Sequence, residues 1–268
     1  MLRMEKILVP MDLSAASGLA VQYAGAVARS FGSFITLLHA GATADEPRQR
    51  LEALGRAEFG SLPFSTVVMQ GDPAQVIVDH ARSGRFGLIV MSTHGYGPFR
   101  RLLLGSVTTR VLDETECPVF TGAHLEHAVA GHGTRFDTIV CAVDLGPKTE
   151  EIAVWAGDFA ATVGGRLFLL HIVPSLGAEE GDYFRADDNL APVEQASEEL
   201  TALRDTLGLS AKVIVAGGGI SEAISHQASE LGADVLVAGR GTCAGRLGRL
   251  RSNAYEIIRI TPCPVITV

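Results

Sequence analysis

"ILVPMDLSAASGLAVQYAGAVA", residues 7 to 28, has a second version in the same chain, "IVCAVDLGPKTEEIAVWAGDFA", residues 139 to 160. In both, an apolar β-branched run ends on an Asp-Leu pair and gives way to a longer segment of helical periodicity. Asp12 and Asp144 stand 132 positions apart (144 − 12), and the same spacing (171 − 39) separates His39 in "TLLHA" from His171 in "FLLHI". Both versions close on Cys-Pro-Val, at Cys117 and Cys263, which are 146 apart (263 − 117). The second copy is therefore longer by 14 residues (146 − 132). This extra length falls after His171 and is expected in the acidic stretch "PSLGAEEGDYFRADDNLAP", read as a surface loop. A repeat of this length predicts two like units in tandem.

Within each copy, short apolar runs alternate with helical patterns. In the first they are Lys6 to Pro10, Phe34 to Ala40, Phe64 to Met69, Phe86 to Met91 and Pro118 to Thr121. In the second they are Thr138 to Val143, Arg166 to Val173, Ala211 to Ala216, Val235 to Ala238 and Pro264 to Val268. Such near-continuous apolar runs suit parallel strands buried on both faces. The fold class is thus α/β, two doubly wound units in tandem, each of five strands with about four helices. The last strand of each unit starts with proline and is expected at a sheet edge. Ser14 is the expected N-cap of a helix with Leu19, Tyr23, Ala26 and Val27 on one face, and Asp72 with Pro73 opens another. Residues 1–122 make the first unit and 137–268 the second, with 123–136, rich in Gly, Ala and His, as linker.

Composition narrows the function. Hydrophobic residues make up 47% and charged ones 19%, a globular balance, and the net charge of −8 argues against nucleic acid as a partner. No apolar stretch reaches the length of a membrane span, and Met1 to Lys6 leave no room for a signal peptide, so the expected location is the cytoplasm. Cys117, Cys141, Cys243 and Cys263 show no metal-type spacing and read as reduced structural thiols.

Glycines cluster in "MSTHGYGPFRRLLLGSVTTRVL", residues 91 to 112, after the fourth apolar run. Glycine lets backbone amides approach a phosphate, but Gly95, Gly97 and Pro98 also spell an ordinary turn. No Gly-x-x-x-x-Gly-Lys-Ser/Thr occurs, and "VPMDLSAAS" lacks the glycines of a dinucleotide-binding turn. "GRGTCAG" from Gly239 has the wrong spacing for one, and "GGGI" from Gly217 matches "QGDPA" of the first copy, as a helix-opening turn.

Together, "PMDLS", "LLHA", "STHG", the Gly-Ser pair that follows it after nine intervening residues and the closing "CPV" strand resemble the universal stress protein family across both halves of the chain. ATP-binding members carry Gly-x-x-Gly-x9-Gly-Ser/Thr; here Gly95, nine residues, Gly105 and Ser106 keep the spacing, and Ser92 replaces the first glycine. The resemblance implies a sheet ordered 3-2-1-4-5, whose ligand lies in the crevice between strands 1 and 4. It implies ATP, alone or with Mg²⁺, as the ligand. Pro10, Met11 and Asp12 would border the adenosine and Ala40 the adenine edge; Met91 and Ser92 are also counted as cofactor-binding, Ser92 offering an amide and a hydroxyl where the family has glycine. Gly95, Gly105, Ser106 and Val107 would cradle the phosphates at a helix N-terminus. Arg100 and Arg101 are candidate phosphate partners, whereas His94, His39 and His171 are not read as catalytic, and no catalytic or metal-binding residue is assigned. In the second copy Arg251 replaces the glycine of Gly-Ser, although Asp144, Gly241 and Ser252 hold their places and a small gap would realign Gly239, so that site is expected to be altered or empty.

Three function classes follow: an ATP-binding regulatory stress protein with little turnover, a weak ATPase or related phosphate hydrolase, and a nucleotide-free interaction module. The family's habit of pairing through last strands also implies an internal pseudo-dimer, with a homodimer of the whole chain left open.

Overall fold

The computed structural model describes residues 2–41, 45–93, 104–121, 134–174, 190–240 and 252–268. The first half runs β1 (Lys6–Pro10), α1 (Ala15–Phe31), β2 (Phe34–Ala40), α2 (Asp45–Phe59), β3 (Phe64–Met69), α3 (Pro73–Gly84), β4 (Leu88–Val90), α4 (Ser106–Glu114) and β5 (Val119–Thr121). The second repeats the order as β6 (Thr138–Val143), α5 (Thr149–Val163), β7 (Arg166–Pro174), α6 (Leu190–Thr206), β8 (Ala211–Gly218), α7 (Ile220–Glu230), β9 (Val235–Ala238), α8 (Ser252–Ile260) and β10 (Val265–Thr267). Each half thus has five strands and, among the described residues, four helices. The expected acidic loop lies outside the described residues except at its ends, where Pro174 closes β7 and Leu190 to Pro192 open α6.

Local chemistry fixes the helix starts. Ser14 Oγ accepts the Ser17 amide at 3.3 Å, and the Asp72 carboxylate accepts the Gln75 amide at 3.0 Å with Pro73 at the first helical position. Gly71 (φ +145°) and Gly218 (φ +140°) make the same turn before α3 and α7, a conformation that side chains resist. The buried stripe of α1 passes through Ala20, Tyr23, Ala24 and Val27; Leu19 and Ala26 flank it, packed against the core but only half-buried.

The strands form one ten-stranded sheet, ordered β3-β2-β1-β4-β5-β10-β9-β6-β7-β8. Each half keeps the order 3-2-1-4-5 with parallel pairs, and the halves join through an antiparallel pair that sets Val119 opposite Thr267, Phe120 opposite Ile266 and Thr121 opposite Val265. The proline-led strands, expected at an edge, are edges only of their own units and form the seam of the chain. Each begins one residue after its proline, whose carbonyl still accepts, from Ile89 N–H at Pro118 and from Leu236 N–H at Pro264, both at 2.9 Å. β4 starts at Leu88 rather than Phe86, because Arg85 caps α3 in a left-handed conformation (φ +52°) and the Phe86 amide is spent on Ala81 O.

Each sheet face carries one apolar cluster drawn from both halves. Aromatic rings bridge the seam: Phe31 lies 5.8 Å from Phe159, and Phe136 lies 6.3 Å from Phe120 and 5.5 Å from Phe159, between centroids. Phe136, in the stretch expected to be linker, is itself buried in this core. Tyr255 of α8 donates to Asp113 of α4 at 3.0 Å, and Arg240, 7% exposed, reaches from the end of β9 to carbonyls of the first half. No helix among the described residues is long and apolar enough to cross a membrane.

Cys117, Cys141 and Cys263 are free thiols, and burial pushes each from the ordinary 9.0 up to about 12; Cys243 lies outside the described residues. Above pH 9 the unfolded chain ionises these thiols while the folded chain holds them neutral. Their contribution to stability is complete below pH 9 and is lost as pH rises toward 12. Urea unfolding at pH 8.5 and 10.5 is expected to show this fall, smaller in Cys141→Ala; equal stabilities at the two values would contradict the burial of the thiols.

Candidate functional site

In the order 3-2-1-4-5 the chain leaves β1 and β4 in opposite directions, opening a crevice at their carboxyl ends. Sequence-distant residues meet there because β1 pairs β4 in parallel, Ile7 beside Leu88 and Leu8 beside Ile89.

The β1 exit is built the same way in both halves. Met11 N–H donates to Leu38 O at 2.8 Å, and His39 Nδ1–H donates to Met11 O at 2.8 Å. Asp12 Oδ1 accepts the Ser14 amide at 2.9 Å, and Leu13 between them takes φ +62°. In the second half His171 Nδ1–H donates to Val143 O, Asp144 Oδ1 accepts the Gly146 amide, both at 2.9 Å, and Leu145 takes φ +54°. The left-handed leucines cost strain, and the Asp turn and His strut hold them in place. His39 and His171 therefore share a structural task. Asp12 is exposed and spends one carboxylate oxygen on the turn.

At the β4 exit, Met91 is buried and its amide donates to Phe120 O at 3.0 Å, while the Met11 side chain is buried beside β1. Both methionine side chains are thus buried in the apolar clusters, Met11 on one face of the sheet and Met91 on the other, and do not line the crevice. The two ends of the segment 94–103 are pinned together: Gly105 N–H donates to Thr93 O at 2.9 Å, and Thr108 Oγ1–H to Ser92 O at 3.1 Å. The sequence reading missed Thr93 and Thr108; their signal is a buried threonine one turn into the helix that follows Gly-Ser.

Gly105 is the N-cap of α4 (φ −63°, ψ 145°) and provides no side-chain acceptor. Its own amide is committed to Thr93, so its contribution is an open helix end. Among the described residues no side chain caps the Ser106 and Val107 amides there, an arrangement that suits an anion. Pro10 ends β1 and Ala40 ends β2, where Gly41 N–H donates to Met69 O at 2.9 Å. Gly95, His94, Arg100 and Arg101 lie outside the described residues.

In the second half, α8 starts at Ser252 as α4 starts at Ser106. Strand register sets Gly239 at the place of Ser92, because Leu236 pairs Val265 as Ile89 pairs Val119. Arg251 and Gly241 lie outside the described residues. This second crevice holds a cavity of about 240 Å³, bordered by Asp144, Lys148, His171, Gly239 and Asn253 over an isoleucine-rich floor. Among the described residues no group of three or more His, Cys, Asp or Glu could hold a metal ion.

The model of the universal stress protein family matches residues 40–121 and 135–268. A universal stress protein of Methanocaldococcus jannaschii is 41% identical over 63 residues, 24% of this chain and 37% of its own length. One of Mycolicibacterium smegmatis is 27% identical over 195 residues, 64% of this chain and 65% of its own length. The chain thus spans under two thirds of either relative. In structure, a universal stress protein of Archaeoglobus fulgidus superposes with a TM-score of 0.73 at 21% identity, covering 99% of this chain and 98% of that one.

Proposed function

Because this chain belongs to the universal stress protein family, we propose that it is a regulatory stress-response protein whose first half binds ATP in the crevice between β1 and β4, with little or no turnover. The observation that carries this reading is the uncapped first turn of α4, pinned by Thr93 and Thr108 to the end of β4. Ser106 and Val107 amides, with the Ser106 hydroxyl, receive the phosphates at the positive end of the helix. The family pattern also assigns Gly95, ten positions before Gly105 in sequence, to the phosphates. The Asp12 carboxylate accepts from ribose hydroxyls, and the Ala40 backbone meets the adenine edge. Mg²⁺, when used, arrives with the phosphates. Asp12 lies at the nucleoside end, away from the site of phosphate transfer, which favours a binding output over hydrolysis. That output is a nucleotide-dependent choice of shape or partner.

The test is to load the purified full chain with ATP and Mg²⁺, desalt it, denature it and identify what is released. Retained adenine nucleotide, with phosphate release no faster than in Asp12→Ala, is expected. No retained nucleotide, or release that depends on Asp12, would contradict the reading.

A further inference from the structure

The two crevices are not equivalent, and the differences in the second are directional. Ile152 and Ile172 stand where the first half has Ala20 and Ala40, and Ile220 where it has Pro73. With Ile224 and Ile257, both buried, they give the cavity of about 240 Å³ an apolar body, smaller than the ~300–1,000 Å³ common for drug-sized ligands. Two opposite charges stand at its border. Lys148, in the place of Ala16, precedes α5 and makes no ion pair among the described residues. Asp144 keeps one oxygen beyond the one that holds Gly146 and Thr149. Asn253, where the first half has Val107, adds an amide. Arg240 also borders the cavity, but its guanidinium is turned to the seam carbonyls.

Among the described residues, with Arg240 committed to the seam, one lysine and one carboxylate at the border of five isoleucines are poorly matched to a polyphosphate. We propose that the second crevice binds a small zwitterion with an apolar body, the chemistry of an apolar amino acid. Its carboxylate pairs with Lys148 and the Asn253 amide, its ammonium pairs with the open Asp144 oxygen, and its side chain enters between Ile152, Ile172 and Ile220. The site is independent of ATP binding in the first half.

The test titrates the full chain calorimetrically with L-phenylalanine and with two molecules that each lack one charge, 3-phenylpropionate and 2-phenylethylamine. Phenylalanine is expected to bind one per chain and at least about tenfold more tightly than either. Lys148→Glu, an exposed position that folding tolerates, removes at least about tenfold of the phenylalanine and phenylpropionate affinity, and Asp144→Asn the same for phenylalanine and phenylethylamine. Gly105→Arg, in the first half, leaves phenylalanine binding unchanged. Absence of binding, equal affinity for all three molecules, or loss of binding in Gly105→Arg would overturn the proposal. Failure of ATP to bind the first half would leave it standing.

Discussion

Arg240→Met lowers the stability of the chain by about 3 kcal/mol, because it removes charge-assisted hydrogen bonds and strands their buried acceptors. The guanidinium donates to the carbonyls of Thr115 and Cys117 in the first half, and to Thr267 O at 3.2 Å and Thr267 Oγ1 at 3.3 Å in β10. The side chain is thus a strut across the seam between β5 and β10. Methionine keeps much of the volume but none of the donors. Arg240→Lys is expected to recover only part of the loss, since an ammonium cannot reproduce the planar fork. Urea unfolding followed by the fluorescence of Trp155, stacked on Phe159 near the seam, reads both halves together. A loss below about 0.5 kcal/mol, the range of ordinary surface changes, would show that the strut is dispensable.

Gly105→Arg is expected to weaken ATP binding more than about 100-fold, and Gly105→Asp by a similar factor, for two separable reasons. The backbone at Gly105 (φ −63°, ψ 145°) suits any residue, so neither substitution strains the chain. Arginine fills the space above the first turn of α4; the second half carries an arginine, Arg251, at the equivalent sequence position. Aspartate instead caps the open amides with its own carboxylate and repels phosphate, while stabilising the helix by about 1 kcal/mol. A variant that gains thermal stability and loses nucleotide separates the site from the fold. Unchanged binding in Gly105→Asp would mean that the phosphates do not use this helix end.

The fold was legible because its signals are local and duplicated. Asp12 and Asp144, Ser14, the Asp72-Pro73 pair and the alternation of apolar runs each predict a turn, cap or strand without reference to distant residues, and the structure builds them as expected. The Gly-Ser spacing likewise put a helix start at Ser106. What escaped the sequence depends on partners without a signature. Arg240 between two glycines looks like solvated loop charge, because backbone carbonyls at Thr115 and Cys117 leave no mark on residue identity. The early end of α3, which shortens β4, turned on one left-handed arginine, Arg85, where glycine would have announced the stop. The crevice in the second half was hidden for a different reason. Its distinguishing residues, Lys148, Ile152 and Ile172, are additions, which a pattern defined by glycines does not register.

The central claim is that a chain with two folds of one kind carries one ATP, in its first half. Equilibrium dialysis of the full chain against labelled ATP with Mg²⁺ measures this directly. One nucleotide per chain, abolished by Gly105→Arg and retained in Lys148→Glu, is the predicted result; two per chain, or one that survives Gly105→Arg, would contradict it.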